Sequence, residues 1–578
     1  MLCCSLSFTF SSCLDLTPKE DLSDSSLWTK PADYKLFANQ FYSWLRSFPS
    51  VTSDGPHSDY RSDLISSDTR NIYSNGTNPM PTTDGNFTTA YSRLRQINTM
   101  LTKAEAYPSQ SDIAQAVGEA KFFRAYVYFD LLQLYGDALI VTAPLDITDP
   151  ALHAKRNSRT EVTDFIISYL TDAISLLTPY KSLSGSARVS VEAAQAFLSR
   201  VALYEGTWQK FRMGDAARST ALLTTARDAA QAVIKSGAFS LFKPEALGTS
   251  AYKYLFTLEN TKCNPAGATK SDNHEYILKK EYDTDITGGS IGSSPGSAFI
   301  GKTSFVTRKF ANMFLTKDGL PIDETDKTRF ATTTSEYADR DNRMTNILIV
   351  PGSPVYTSAK GRKSWQDDAT DLALALYKSF EPYNNSGYFS QKWNAERQIS
   401  GTYPGFDYPV IRYAEVLLNY AEAVFELCET AGNTASKDVT DALNISLNLV
   451  RKRVNPNMPS LTVDFVKNHG LDMRTEIHRE RTIELFHEGF RIDDLKRWNT
   501  AAQEMPQDML GVMYTGTEYV KKWPGMPRGT NADGCILMET NRKWEEKNYL
   551  YPIPTEQLQL HPELGQNPGW PNVTSQKK

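Results

Sequence analysis

"EAKFFRAYVYFDLLQLYGD", residues 119–137, decides the first structural assignment in this chain. Ala120, Phe123, Val127, Leu131 and Leu134 recur at spacings of three or four, which lines them along one face of an α-helix. Gly136 then supplies the residue that most readily takes the left-handed turn after a helix end. Further along, "RTEVTDFIISYLTDAISLL" from Arg159 repeats the pattern through Val162, Phe165, Ile166, Leu170, Ala173 and Leu177. "SVEAAQAFLSRVALYEGTWQKF" and "ALLTTARDAAQAVIKSGAFSLF" follow with alanine at helical spacing. Small side chains there let neighbouring helices approach closely, so the pattern predicts a tetratricopeptide-like array of helical hairpins without a strict repeat period.

The middle of the chain changes character. From about Lys243 to Tyr408 it is rich in Gly, Ser, Thr, Asn and Asp, with the short apolar runs "YILKKEY" and "ILIV" predicting brief strands. Long irregular connections inside a compact domain are usually functional. Helices are predicted again in "PVIRYAEVLLNYAEAVFELC" from Pro409, in "VTDALNISLNLVRKRV", and in "RTEIHRERTIELFHEGFRIDDLKRWNTA" from Arg474. The last carries Ile477, Ile483, Leu485, Phe486, Leu495 and Trp498 opposite a densely charged side. The fold class is mainly α: a tetratricopeptide-like helical-hairpin scaffold with a loop-rich irregular face carrying a few short strands.

The 578 residues carry 62 Lys and Arg against 67 Asp and Glu, a net charge of −5. That balance argues against nucleic acid as the main partner, since a polyanion calls for a clustered basic face. No stretch approaches the run of about 20 apolar residues that spans a bilayer. The N-terminal "MLCCSLSFTFSSCLDLTPKEDL" ends an apolar run with Phe10-Ser11-Ser12-Cys13, similar to a bacterial lipobox in which Cys13 is acylated and becomes the mature N-terminus. Beyond it only Cys263, Cys428 and Cys535 remain, too widely spaced for a disulfide framework or a CxxC metal site. The expected organisation is a signal peptide over 1–12, a helical region over 13–240, a loop-rich ligand face over 241–408 and a second helical region over 409–578, forming one structural unit.

Several catalytic patterns fail on context. "GSAFIGKT" (296–303) satisfies the phosphate-binding pattern G-x-x-x-x-G-K-[ST], but loop material, "DTDITGGSIGSSP", stands where the entering strand is required. No nucleotide is therefore expected, and Lys302 is expected to touch no phosphate. Two G-x-S-x-G matches fall in the same Gly/Ser run and lack the strand-to-helix flanks of a nucleophile elbow. His487-Glu488 is not followed by the second histidine of a zinc helix, because position 491 is Arg. Asp493-Asp494 and Glu545-Glu546 are pairs of a kind common on helix surfaces, with nothing to promote them to glycosidase acids. No catalytic set, metal site or cofactor is expected.

Five motifs make the chain recognisable. "CLDLTPKE", "EAKFFRAYVYFDLLQLYGDALIV", "YPVIRYAEVLLNYAEAVFE", "RERTIELFHEGFRIDDLKRW" and "YLYPIPTEQLQLHPELGQNPGW" occur in this order across nearly the whole length, and together they resemble the SusD/RagB family of outer-membrane lipoproteins. The resemblance implies four tetratricopeptide-like helix pairs, a loop-rich binding face, no enzymatic activity, and a place as lid on a SusC-like TonB-dependent transporter barrel. It implies an oligosaccharide ligand, a lipid anchor at Cys13, and exposure at the cell surface. A peptide-binding RagB-like lid is the alternative within the architecture, a glycoside hydrolase is the alternative from another class, and a purely structural lid with no ligand specificity of its own is a further one. The charged residues of the motifs, Arg412, Glu415, Glu422, Arg479, Arg481, Glu484, Glu488 and Arg491, are expected to pair within the scaffold.

In the family, ligand contacts come from the loop before the third helix and from loops of the middle segment. Glycan sites pair aromatic faces with planar polar side chains. The resemblance therefore points to Tyr60, Arg61, Asp68, Arg70, Tyr73, Asn75 and Asn78 in the first region. Phe87 is added before "YSRLRQIN", where many relatives carry Trp. Tyr282, Asp285, Trp365 and Tyr383 come from the second region, with "GSAFIGKT" expected at the rim.

Overall fold

The N-terminal part is built from α1 (Pro31–Asn39), α2 (Gly85–Glu105), α3 (Gln110–Tyr135), α4 (Arg159–Leu176), α5 (Val191–Trp208) and α6 (Ala216–Ser236). The computed structural model describes residues 27–48, 55–67, 69–146, 148–183, 187–261, 263–283, 304–350, 386–394, 405–526 and 528–572. The leader with Cys13, the stretch 296–303 with Lys302, and Asp68, Asp285, Trp365 and Tyr383 lie outside the described residues.

Several helices begin where the sequence offers a cap. Asp84 accepts the Asn86 N–H ahead of α2, Ser158 and Glu161 form a reciprocal capping box on α4, and Asp215 accepts the Arg218 N–H on α6. Gly136, at φ 74°, ends α3. Apolar spacing predicts one buried face for α3. The structure buries it on all sides, with Phe122, Phe123, Tyr126, Tyr128, Phe129, Leu131 and Leu132 each at most 2% exposed. A helix apolar all round belongs inside a fold, and α3 packs against α1, α2 and α4. From there α4, α5 and α6 stack in turn, and the helix Tyr413–Thr430 packs on α6. One continuous apolar core runs from Tyr34 to Leu564.

Four predicted elements differ, one of them being "VTDALNISLNLVRKRV", which forms two short helices, Lys437–Asn444 and Leu447–Lys452. "PVIRY" opens as a strand, Tyr408–Arg412, antiparallel to Tyr276–Lys280, and the helix begins only at Tyr413. Proline with β-branched Val410 and Ile411 favours the extended form. The run from Arg474 is two helices, Met473–Glu484 and Arg491–Arg497, separated by a turn in which His487 has φ 62° and Gly489 φ 78°. "ILIV" is the end of a short helix, Asn342–Ile347, followed by a single bridge from Leu348 to Ser390. Two further two-stranded pairs are Ile65–Ser66 with Phe305–Val306 and Met509–Met513 with Cys535–Glu539.

The motif charges are internal. Arg412, 1% exposed, reaches Glu484 and Glu488 at 2.7 Å and Glu275 at 2.9 Å. Arg453 shares Glu484 at 2.8 Å, Arg481 and Arg497 share Asp494, and Arg497 pairs with Glu422. Asp493 and Asp494 are therefore buried and paired rather than at a helix surface. Arg200 holds Glu415 at 2.6 Å. Burying such charges is tolerable when their lone pairs and protons find partners. These pairs tie the strand Tyr408–Arg412 and both C-terminal helices to α5.

Candidate ligand-binding site

The loop Gly55–Asp59, from the N-terminal part of the chain, is seated on the turn between the two C-terminal helices. Ser58 accepts the Tyr60 N–H and starts a tight helical turn, Asp59–Arg61. Asp59, 3% exposed, accepts the backbone N–H of His487 at 2.6 Å and of Arg491 at 3.3 Å. Gly489 lies so close that a Cβ there would collide with the His57 carbonyl oxygen. His57 is thereby fixed, with Nδ1 2.8 Å from Asp493 and Nε2 3.3 Å from Asp130, whose carboxylate also receives Arg46 at 2.8 Å.

Two cavities meet at this loop, sharing Pro56 and His57. The first, about 260 Å³, is lined by Phe48, Tyr60 and Tyr408 with Arg46, Asp59 and Glu488. The second, about 380 Å³, lies between Asn86, Thr89 and Arg93 of α2 and Val127, Asp130 and Leu134 of α3. Together they make a trough with an aromatic end and a polar end. Phe48 is held edge-on by Trp393, Phe406 and Tyr408 at ring distances of 5.0, 5.5 and 5.1 Å. Arg93 rests over the Trp44 ring at 5.4 Å.

Charge along the trough is uneven. Burial works against ionisation of Asp130, but Arg46 and His57 override it and hold the carboxyl well below the usual range. Asp59 has burial only partly offset by the two N–H groups, which pushes its carboxyl up to about 7. The trough thus offers two carboxylates held ionised, Asp130 and Glu488, one carboxyl that titrates near neutrality, guanidinium donors and ring faces.

The residues expected from sequence divide. Tyr60 lines the aromatic end, and Tyr282 borders it through a ring contact with Phe48 at 5.7 Å and a phenol hydrogen bond with Ser47. Arg61, Tyr73, Asn75 and Asn78 face the C-terminal segment instead. Arg61 lies 3.5 Å over the Tyr73 ring and donates to the Tyr551 phenol, and Tyr73 stacks on Tyr551 at 5.2 Å. Asn75 accepts the Lys543 N–H on its carbonyl at 3.0 Å, and Asn78 accepts from the Asn548 amide at 3.2 Å. A loop of the right residue types is therefore committed to internal closure, because the segment from Lys543 folds back over it. Arg70 is exposed and donates to the Thr540 carbonyl at 2.7 Å. Phe87 is not ahead of a helix but in the first turn of α2, buried edge-on against Tyr135 at 5.3 Å.

Arg46, Phe48, His57, Asn86, Arg93, Asp130 and Tyr408 escaped the sequence reading. A signal existed for some: Asn86, Thr89, Ala90 and Arg93 share one face of α2, and Asp130 is a lone carboxylate in the apolar run of α3. Among the described residues no cluster of His, Cys, Asp and Glu could hold a metal ion. None of the described helices is long and apolar enough to cross a membrane.

A family model described as "SusD family" matches residues 267–570, and one described as "Starch-binding associating with outer membrane" matches residues 28–203. "SusD-like protein P38" of Formosa agariphila is 25% identical over 506 residues, covering 86% of this chain and 89% of its own length. A SusD-like carbohydrate-binding protein from Bacteroides fragilis superposes with a TM-score of 0.71 at 19% identity, over 93% of this chain and 99% of that one. A second SusD-like protein from the same organism gives 0.69 at 20% identity, over 95% and 99%. At these identities the structural likeness is one of fold.

Proposed function

This chain belongs to the SusD family, and from that membership we propose that it captures oligosaccharide in the trough and delivers it to a SusC-like TonB-dependent transporter, held at the outer membrane by a lipid on Cys13. The observation that carries the binding step is the union of two cavities at His57, roomy enough for more than one sugar ring, with Phe48, Tyr60 and Tyr408 for ring faces and Arg46, Arg93, Asn86 and Asp130 for hydroxyls. The carbohydrate-binding relative supports the same ligand class. The role is capture without turnover.

Isothermal titration against neutral oligosaccharides of increasing length tests this. Affinity should rise from one ring to several, and Arg93→Ala and Asn86→Ala should each weaken it about tenfold, the effect of one lost hydrogen bond of about 1 kcal/mol or slightly more. Binding of peptides with no oligosaccharide response would overturn the reading in favour of peptide capture. Sugar released by the purified protein would overturn its non-catalytic part.

A further inference from the structure

A further cavity, of about 490 Å³, lies away from the trough between the helix Arg308–Met313 and the strands Met509–Met513 and Cys535–Glu539. Arg308 lines it and is 5% exposed. Its guanidinium lies 3.9 Å over the Phe330 ring, and it makes no hydrogen bond or ion pair with any of the described residues. Arg412, Arg453, Arg481 and Arg497 in the scaffold each have a carboxylate partner, and buried Arg340, which has none, donates to the backbone carbonyls of Ala311, Phe314 and Glu336. The Nη1 of Arg308 is buried with no hydrogen-bond partner, while Glu336 and Glu324 act on the guanidinium only through space, and an unmet buried donor of this kind is costly unless a ligand completes it.

One turn along the same helix, Asn312 donates its amide N–H to Glu324 at 2.7 Å, while its Oδ1 is buried and has no donor among the described residues. The cavity thus presents an anion receptor and a neutral acceptor together. Lys327 adds an exposed cation at the wall and Lys309 a second one already engaged by Asp63 and Glu504, whereas Glu324, Asp508 and Asp533 add negative charge. That mixture disfavours a multiply charged anion and suits one that is singly charged and carries hydroxyl groups for the carboxylates and for Asn312 to accept.

We propose that this cavity is a separate ligand site for an acidic sugar, with Arg308 receiving the carboxylate edge-on and Asn312 Oδ1 accepting a ring hydroxyl. The volume falls in the range of small-molecule sites. Nothing in this assignment depends on the trough, so either site can fail without the other.

The test is titration calorimetry of the full chain with sodium glucuronate, beside glucose, sodium acetate and sodium sulfate. Glucuronate should bind saturably and at least tenfold more tightly than the other three. Arg308→Gln should abolish that preference, Asn312→Asp should weaken glucuronate about tenfold through added negative charge, and Lys327→Ala about threefold. Arg93→Ala in the trough should leave glucuronate binding unchanged. Equal binding of glucose, or sulfate binding as tight as glucuronate, would overturn the proposal. If Arg308→Gln does not fold, wild-type glucuronate affinity in both Asn312→Asp and the exposed Lys327→Ala overturns it equally.

Discussion

The carboxyl of Asp59 accepts the backbone N–H of His487 at 2.6 Å across 428 positions of sequence. This bond fixes the floor of the trough, and the contribution of Asp59 to stability depends on pH. Burial raises its carboxyl from 3.8 to about 7, so the stability it contributes is fully present below pH 3.8 and is lost as pH rises to about 7. Asp59→Ala should therefore cost more at pH 5 than at pH 8, the difference being on the order of 2–3 kcal/mol. Urea denaturation of both proteins at the two pH values reads it directly.

Gly489 permits the close approach that holds His57. Its φ of 78° is already unfavourable for other residues, and an added Cβ runs into the His57 carbonyl oxygen. Gly489→Ala should destabilise the protein by about 3 kcal/mol or more and move His57 off Asp130. The expected signature is a lower Tm together with weakened oligosaccharide binding; a change in Tm alone would mean that the loop has kept its place.

Acid should unfold the charged interior over a defined range. Burial opposes ionisation of Glu484 and Glu422, but Arg453, Arg412 and Arg343 around the first and Arg497 beside the second hold both at about 2. With folded values below the ordinary 4.5, each contributes on the order of 3 kcal/mol above that pH, and loses it as pH falls from 4.5 to about 2. Circular dichroism melts should show Tm dropping steeply through this window, and Glu422→Gln should flatten the drop.

Arg412 serves three carboxylates at once. Arg412→Ala leaves Glu275, Glu484 and Glu488 buried without their shared cation and should cost about 3–5 kcal/mol. Adding Glu488→Gln to that variant should recover part of the loss, which a double-mutant cycle by chemical denaturation would measure.

Periodicity made the scaffold legible. The helices from Arg159 and Ser190 lie where apolar spacing placed them, and the motif charges pair internally, Arg412 with Glu484 and Glu488 among them. The turn that splits Met473–Glu484 from Arg491–Arg497 was hidden, because its Phe486 and Ile492 continue an apolar pattern while only His487 and Gly489 carry the reversal. The trough was less legible still. Residue type can nominate Tyr60 and Arg61 equally, but only the return of Tyr551 determines that Arg61 faces inward. Pairings such as His57 with Asp493 join segments more than four hundred residues apart, and no local pattern encodes them.

The segment from Asp59 to Asn75, which continues the loop at the trough, is pinned by Asp59 to His487, Asp63 to Arg491, Asn75 to Lys543 and Arg61 to Tyr551. Synthesis order then acquires meaning: residues made early in translation receive their partners only when the segment from His487 onward has emerged. A chain cut before His487 retains both walls, α2 and α3, yet lacks every one of these fastenings. On the proposed reading, ligand capture belongs to the finished polypeptide and should be absent from a fragment that stops short of that residue.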